Sequence, residues 1–182
     1  MRVAIDTGAV QLELDLTPGI ALAETIIADI DRNGDGALSA DEQRAYGDAV
    51  VNALTLQVDG TALRAQLAAT SFPELEAVRR GEGTIRLQST AALPRLSTGS
   101  HQLLYRNGYH PDGSVYLANA LVPASREVAV TAQRRDGDQT ELTIDYELRA
   151  APGMPPAAWL LGSLAAAATL WLIAVRRSRA AE

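Results

Sequence analysis

Residues 54–67 read Leu-Thr-Leu-Gln-Val-Asp-Gly-Thr-Ala-Leu-Arg-Ala-Gln-Leu. Apolar side chains recur at every second position from Leu54 to Val58, the period of a half-buried strand. Asp59-Gly60 then supplies the two residues that tolerate positive φ in a tight hairpin turn, and Ala62–Leu67 is expected to return as the partner strand. Further runs with the same period follow at 84–90, 101–106, 114–121, 127–134 and 140–148, the last two joined by Asp136-Gly137-Asp138. Ahead of the hairpin, Val10–Leu16 alternates apolar and polar in the same way. About seven short strands separated by turn signals predict an antiparallel β-sandwich. Strand–helix alternation is absent, so a doubly wound parallel sheet is excluded.

Between Leu16 and Leu54 the apolar period changes to that of a helix. Thr17 is the expected N-cap and Pro18 the first helical residue of a segment running to about Ile30, with Ile26, Ile27 and Ile30 on one stripe. A second helix is expected from about Ala40 to Asn52, with Tyr46 and Val50 along one face. The twelve residues joining them are Asp31-Arg-Asn-Gly-Asp-Gly-Ala-Leu-Ser-Ala-Asp-Glu42. Calcium takes six to eight oxygens at roughly 2.3–2.6 Å, so a short loop that binds it must turn many oxygens inward. Asp31, Asn33 and Asp35 offer side-chain oxygens at loop positions 1, 3 and 5. Gly36 stands at position 6, where the chain turns sharply, and Ala37 can contribute a backbone carbonyl. Ser39 can ligate directly or through water, and Glu42 can close the shell with both carboxylate oxygens. An Asp/Asn/Gly-rich solvated turn is the alternative. Such a turn gives no reason for a Glu six residues after the glycine, or for the apolar stripe before Asp31.

Residues Ile20–Val50 resemble the EF-hand superfamily, a resemblance that implies a helix–loop–helix binding Ca²⁺ as cofactor. A second copy is not found: Asp136–Glu147 has acids at positions 1, 3 and 12, but Glu141 occupies the glycine position. EF-hands usually pair through position 8, so Leu38 is expected to pack on the sandwich or on a second copy of the chain. More loosely, Leu14–Gly19, Val58–Gly60 and Tyr105–Asn107 are similar to extracytoplasmic EF-hand domains of bacterial membrane proteins, some preceding nickel/cobalt permease-type regions. A chain with one apolar span departs from that pattern, because a single span cannot form a permease.

That span is Ala157–Val175, 19 residues without a charge. As a helix it would be about 28 Å long, close to the hydrocarbon thickness of a bilayer. The full expectation is therefore a mainly β chain with an inserted α-helical EF-hand: a sandwich domain over 1–149 with the helix–loop–helix at about 18–53, a Pro/Gly linker at 150–156, one C-terminal transmembrane helix at 157–175 and a basic tail at 176–182. Arg176, Arg177 and Arg179 after the span put the tail in the cytoplasm by the positive-inside rule, with the sandwich outside the cell. The first residues show no apolar leader and read as the second half of a hairpin. Either a leader precedes Met1, the favoured reading, or the protein is tail-anchored with its domain in the cytoplasm.

Composition limits the partners. The chain has 182 residues, no lysine and no cysteine. Outside the last seven residues it carries 21 acids against 13 arginines, a formal charge of −8. Nucleic acid is excluded as a partner, since phosphate binding needs a basic face. The expected partners are a calcium ion, the lipid bilayer through the C-terminal helix, and a membrane protein. The lack of cysteine removes disulfides and thiol chemistry. His110 and Asp112, in the Tyr105–Tyr116 segment, are two potential ligands where a metal site needs three, so an ordinary hairpin loop is expected there. Nucleophile elbow, phosphate loop and dinucleotide fingerprint are all absent, and the chain is not expected to be an enzyme. The leading expectation is a single-pass membrane-anchored calcium-binding protein whose EF-hand is mainly structural; the alternative is a calcium-responsive accessory or docking subunit of a membrane metal-transport complex.

Overall fold

Alternating side chains build two sheets whose apolar faces share one core. The computed structural model describes residues 1–109, 118–123 and 125–150. In chain order the strands are β1 (Arg2–Ile5), β2 (Ala9–Leu16), β3 (Leu54–Val58), β4 (Thr61–Leu63), β5 (Ala65–Ser71), β6 (Ile85–Ala92), β7 (Gly99–Asn107), β8 (Asn119–Ala120), β9 (Val128–Arg135) and β10 (Glu141–Leu148). Three helices accompany them: α1 (Ile20–Ile30), α2 (Ala40–Asn52) and α3 (Leu75–Arg79). One five-stranded sheet has the order β5-β6-β2-β1-β8 and the other β4-β3-β7-β10-β9. Val3, Val10, Leu12, Ile85 and Leu87 from the first sheet join Leu56, Leu103, Leu142, Ile144 and Tyr146 from the second in a single buried cluster. Each fully buried aliphatic side chain contributes roughly 1.5–3 kcal/mol.

Helices α1 and α2 close one end of this core. Ile26 and Ile30 of α1, with Tyr46 and Val50 of α2, enter the main cluster. Ala23 and Ile27, next to them on the same stripe of α1, form a smaller cluster with Leu75 and Val78 of α3. Leu38 is half-buried and packs against both clusters, so position 8 of the loop is covered within the chain itself.

Several expectations need correction. The expected fold combined an antiparallel β-sandwich, a helix–loop–helix and one C-terminal transmembrane helix. Among the described residues no helix is long and apolar enough to cross a membrane. The longest, α2, has 13 residues and so spans about 20 Å, short of the ~30 Å required. Over the described residues the architecture is two five-stranded sheets with three short helices, and residues 157–175, where the span was expected, lie outside the described residues, as do the tail at 176–182, the linker beyond Ala150 and the His110 loop. The first sheet is also not wholly antiparallel, because β8 pairs parallel to β1 with Arg2 opposite Asn119. The run 62–67 is not one strand. It breaks at Arg64, so that β4 completes the Asp59-Gly60 hairpin with β3 while β5 crosses to pair with β6 in the other sheet. Thr17 does not cap α1. Gly19 holds the N-cap position, and the Thr17 hydroxyl bonds that of Thr84 at 2.9 Å. The first residues form the opening strand of a hairpin with β2, Arg2 opposite Glu13, rather than its second half.

Candidate calcium loop

The joint between α1 and α2 is held by its own side chains. Asp31 is the C-cap of α1, donating its N–H to the Ile27 carbonyl at 2.8 Å. Its carboxylate accepts from the Gly34 N–H on Oδ1 and from the Gly36 N–H on Oδ2, both at 2.9 Å, and the residue as a whole is 9 % exposed. Those two glycines take φ of +71° and +78°, values that other residues adopt only with strain. Asn33 Oδ1 accepts the Asp35 N–H at 2.9 Å, Asp35 Oδ1 accepts the Ala37 N–H at 2.8 Å, and Asn33 Nδ2 donates to Asp35 Oδ2 at 2.9 Å.

Glu42 ties the far end of the loop to its beginning. Its Oε1 accepts from the N–H groups of Arg32 at 3.1 Å and Asn33 at 3.4 Å. Its Oε2 accepts from the Ser39 N–H at 3.0 Å and the Ser39 hydroxyl at 2.7 Å. Ser39 Oγ in turn accepts the Glu42 N–H at 3.2 Å, which completes a capping box at the start of α2. The hydrogen bond from the Ser39 hydroxyl, then that from its N–H, holds the Glu42 carboxyl below the usual carboxylate range. Gln43 Nε2 fixes the Leu38 carbonyl at 3.1 Å.

All six anticipated ligands thus belong to one joint, arranged in three groups. Asp31 organises the glycine turns, Asn33 with Asp35 and Ala37 forms the middle, and Ser39 with Glu42 caps α2. Among the described residues no three His, Asp or Glu side chains converge tightly enough to hold a metal ion on their own. The donor set is mixed: three carboxylates, one amide, one hydroxyl and one backbone carbonyl, all hard oxygens of the kind calcium prefers. A carboxylate has about four lone-pair sites. Asp31 spends two on glycine N–H groups and keeps two, whereas Glu42 already accepts four hydrogen bonds. Asp31 therefore keeps acceptor sites for a cation, Asn33 and Asp35 are tied to each other and to the loop backbone, and Glu42 could join a shell only by giving up part of its capping role.

Sequence reasoning passed over a second polar cluster. His101 on β7 sits beneath the Asp59-Gly60 turn, with Nδ1 2.7 Å from Asp59 Oδ2 and Nε2 2.7 Å from the Ser97 carbonyl. The signal was present, because His101 is in phase with the buried Leu103 and Tyr105, where an unpaired polar side chain would be costly. No family model, curated protein or solved structure matches the chain.

Proposed function

We propose that Asp31–Glu42 binds one calcium ion and that the ion acts as a structural clamp between α1 and α2. The observation that supports this most is the carboxylate of the largely buried Asp31, pinned by two glycine N–H groups and still holding unused lone pairs. The carboxylate also stands at the C-terminal end of α1, where the helix dipole disfavours negative charge and a cation would offset it. The role is structural because the elements on either side are already committed. Ile26, Ile30, Tyr46 and Val50 lie in the main core, leaving little freedom for the helix opening that switch-type EF-hands undergo.

An ion that binds only the folded chain stabilises it by RT ln(1 + [L]/Kd), ~1–3 kcal/mol at modest excess. The test is thermal unfolding of the full chain with calcium, with magnesium and with chelator. Calcium raises the Tm of the wild type, and Asp31→Ala abolishes the rise. Equal calcium shifts in wild type and Asp31→Ala would refute the reading.

A further inference from the structure

Asp59 and Ser97 belong to segments that wall the same cleft. The turn carrying Asp59 continues into Thr61, Ala62 and Leu63, and the segment carrying Ser97 begins with Leu93 and Pro94. These residues line a cleft of about 590 Å³ at the edge of the sandwich. His101 joins the two segments just beyond it. Its side chain is only 9 % exposed, while Asp59 on the turn is 43 % exposed, so the ring itself reaches few partners other than these two.

The chemistry of this bridge depends on one proton. Both partners of the ring, a carboxylate and a carbonyl, are acceptors. A neutral imidazole has a single N–H and satisfies one of them; an imidazolium donates to both. When the proton leaves, the remaining N–H stays with the stronger, charged acceptor Asp59. Nε2 then presents a lone pair to the Ser97 carbonyl at 2.7 Å, a repulsive contact. We propose that His101 is a proton-operated staple, which fixes the β6–β7 segment against the β3–β4 turn when doubly protonated and frees that segment when neutral.

The other groups around the ring are compatible with this role. From the β3–β4 turn comes Asp59, whose second oxygen accepts the Gln102 N–H at 2.9 Å. From β10 comes Tyr146, ring centroids 5.7 Å apart, its hydroxyl buried and without a hydrogen-bond partner among the described residues. Burial, and then the Asp59 charge, push the Tyr146 phenol up to about 12, so it stays neutral throughout. Gln102 and Asp145 bond each other at 3.0 Å, and Asp145 is also paired with Arg134. These residues alternate with His101 and Tyr146 along β7 and β10, so they lie on the opposite face of the sheet. The Asp59 hydrogen bond raises the His101 pKa above its ordinary 6.5. A raised histidine stabilises fully below its unfolded value and loses that contribution as pH rises through the folded one.

Arg95 is exposed within the β6–β7 segment and makes it cleavable by trypsin. The experiment follows two quantities in the full chain from pH 6 upward. One is the His101 titration by NMR, assigned with His101→Gln. The other is the trypsin cleavage rate at Arg95, divided at each pH by that of a free peptide of the same sequence. In the wild type the titration midpoint lies above 6.5 and the normalised cleavage rate rises several-fold across it. Asp59→Asn keeps the ring but removes the charge, and moves both midpoints down together. A wild-type midpoint at or below 6.5, a normalised rate that is flat with pH, or midpoints unmoved in Asp59→Asn would each overturn the proposal, whether or not His101→Gln folds.

Discussion

Ser39 and Glu42 cap α2, and if the loop binds calcium as proposed they would have a second task that variants can separate from the first. As N-cap, Ser39 accepts the Glu42 N–H, and Glu42 returns a bond to the Ser39 N–H. This arrangement satisfies backbone donors at the start of α2 with or without an ion. Loss of an N-cap hydroxyl costs about 0.5–2 kcal/mol. Ser39→Ala is therefore expected to lower the unfolding free energy by that amount, and with it the urea midpoint, even in chelator, while retaining most of the calcium-dependent shift, because position 9 of such loops is often served by water. Glu42→Gln is expected to lose both. Urea unfolding with and without calcium measures the two effects, and an unchanged midpoint for Ser39→Ala in chelator would show that the capping box contributes nothing.

Among the elements, α2 is placed by a close approach to β5. A Cβ on Gly47 would stand 2.8 Å from Leu67 Cδ2 and 3.1 Å from Thr70 Cγ2. Glycine inside a helix costs roughly 0.5–1 kcal/mol relative to alanine, and here that cost permits helix and strand to touch. Gly47→Leu is expected to destabilise the chain by about 1–3 kcal/mol, the usual scale of overpacking, as read by chemical denaturation. A neutral result would mean that α2 is free to move off the sheet. The boundaries of α2 and its buried Tyr46 and Val50 were legible because period, cap and loop motif agreed over its whole length. What was not legible was which sheet a strand joins. Ala62–Leu67 carries one continuous alternation, and nothing local marks Arg64 as the point where the chain leaves one sheet for the other. The five-residue α3 was missed for a related reason: it is too short to show a helical period, and it is held by Leu75 and Val78 packing beneath α1 rather than by propensity. The helix–loop–helix joint that carries the six loop residues was legible because its spacing is local. The Asp59–His101 bridge was not, because it joins residues 42 apart in the chain.

At the level of the whole molecule, the acidic composition makes low pH the natural denaturant. Glu42, Asp59, Asp136 and Asp145 all have carboxyls held below their ordinary values, each through bonds across a turn or between strands. For Asp136 the leading cause is the Glu141 N–H, which bonds Oδ1 at 2.9 Å and closes the β9–β10 turn. For Asp145 it is Arg134, followed by Gln102. For Asp59, burial opposes ionisation, but the His101 and Gln102 bonds outweigh it. A carboxyl depressed in the folded state adds stability that is complete above its unfolded value and disappears as pH falls through the folded one. The unfolded values are 3.8 for aspartate and 4.5 for glutamate. Stability is thus expected to hold down to about pH 5 and then to decline steadily, as the chain takes up more protons unfolded than folded. Asp136 and Asp145 serve the same pair of strands, so Asp136→Asn combined with Asp145→Asn should flatten the acid limb while lowering stability at neutral pH. Equilibrium urea unfolding at half-unit steps from pH 7 to pH 2 tests both parts. An acid limb equally steep in the double variant would place the responsible carboxyls elsewhere, outside the β9–β10 pair.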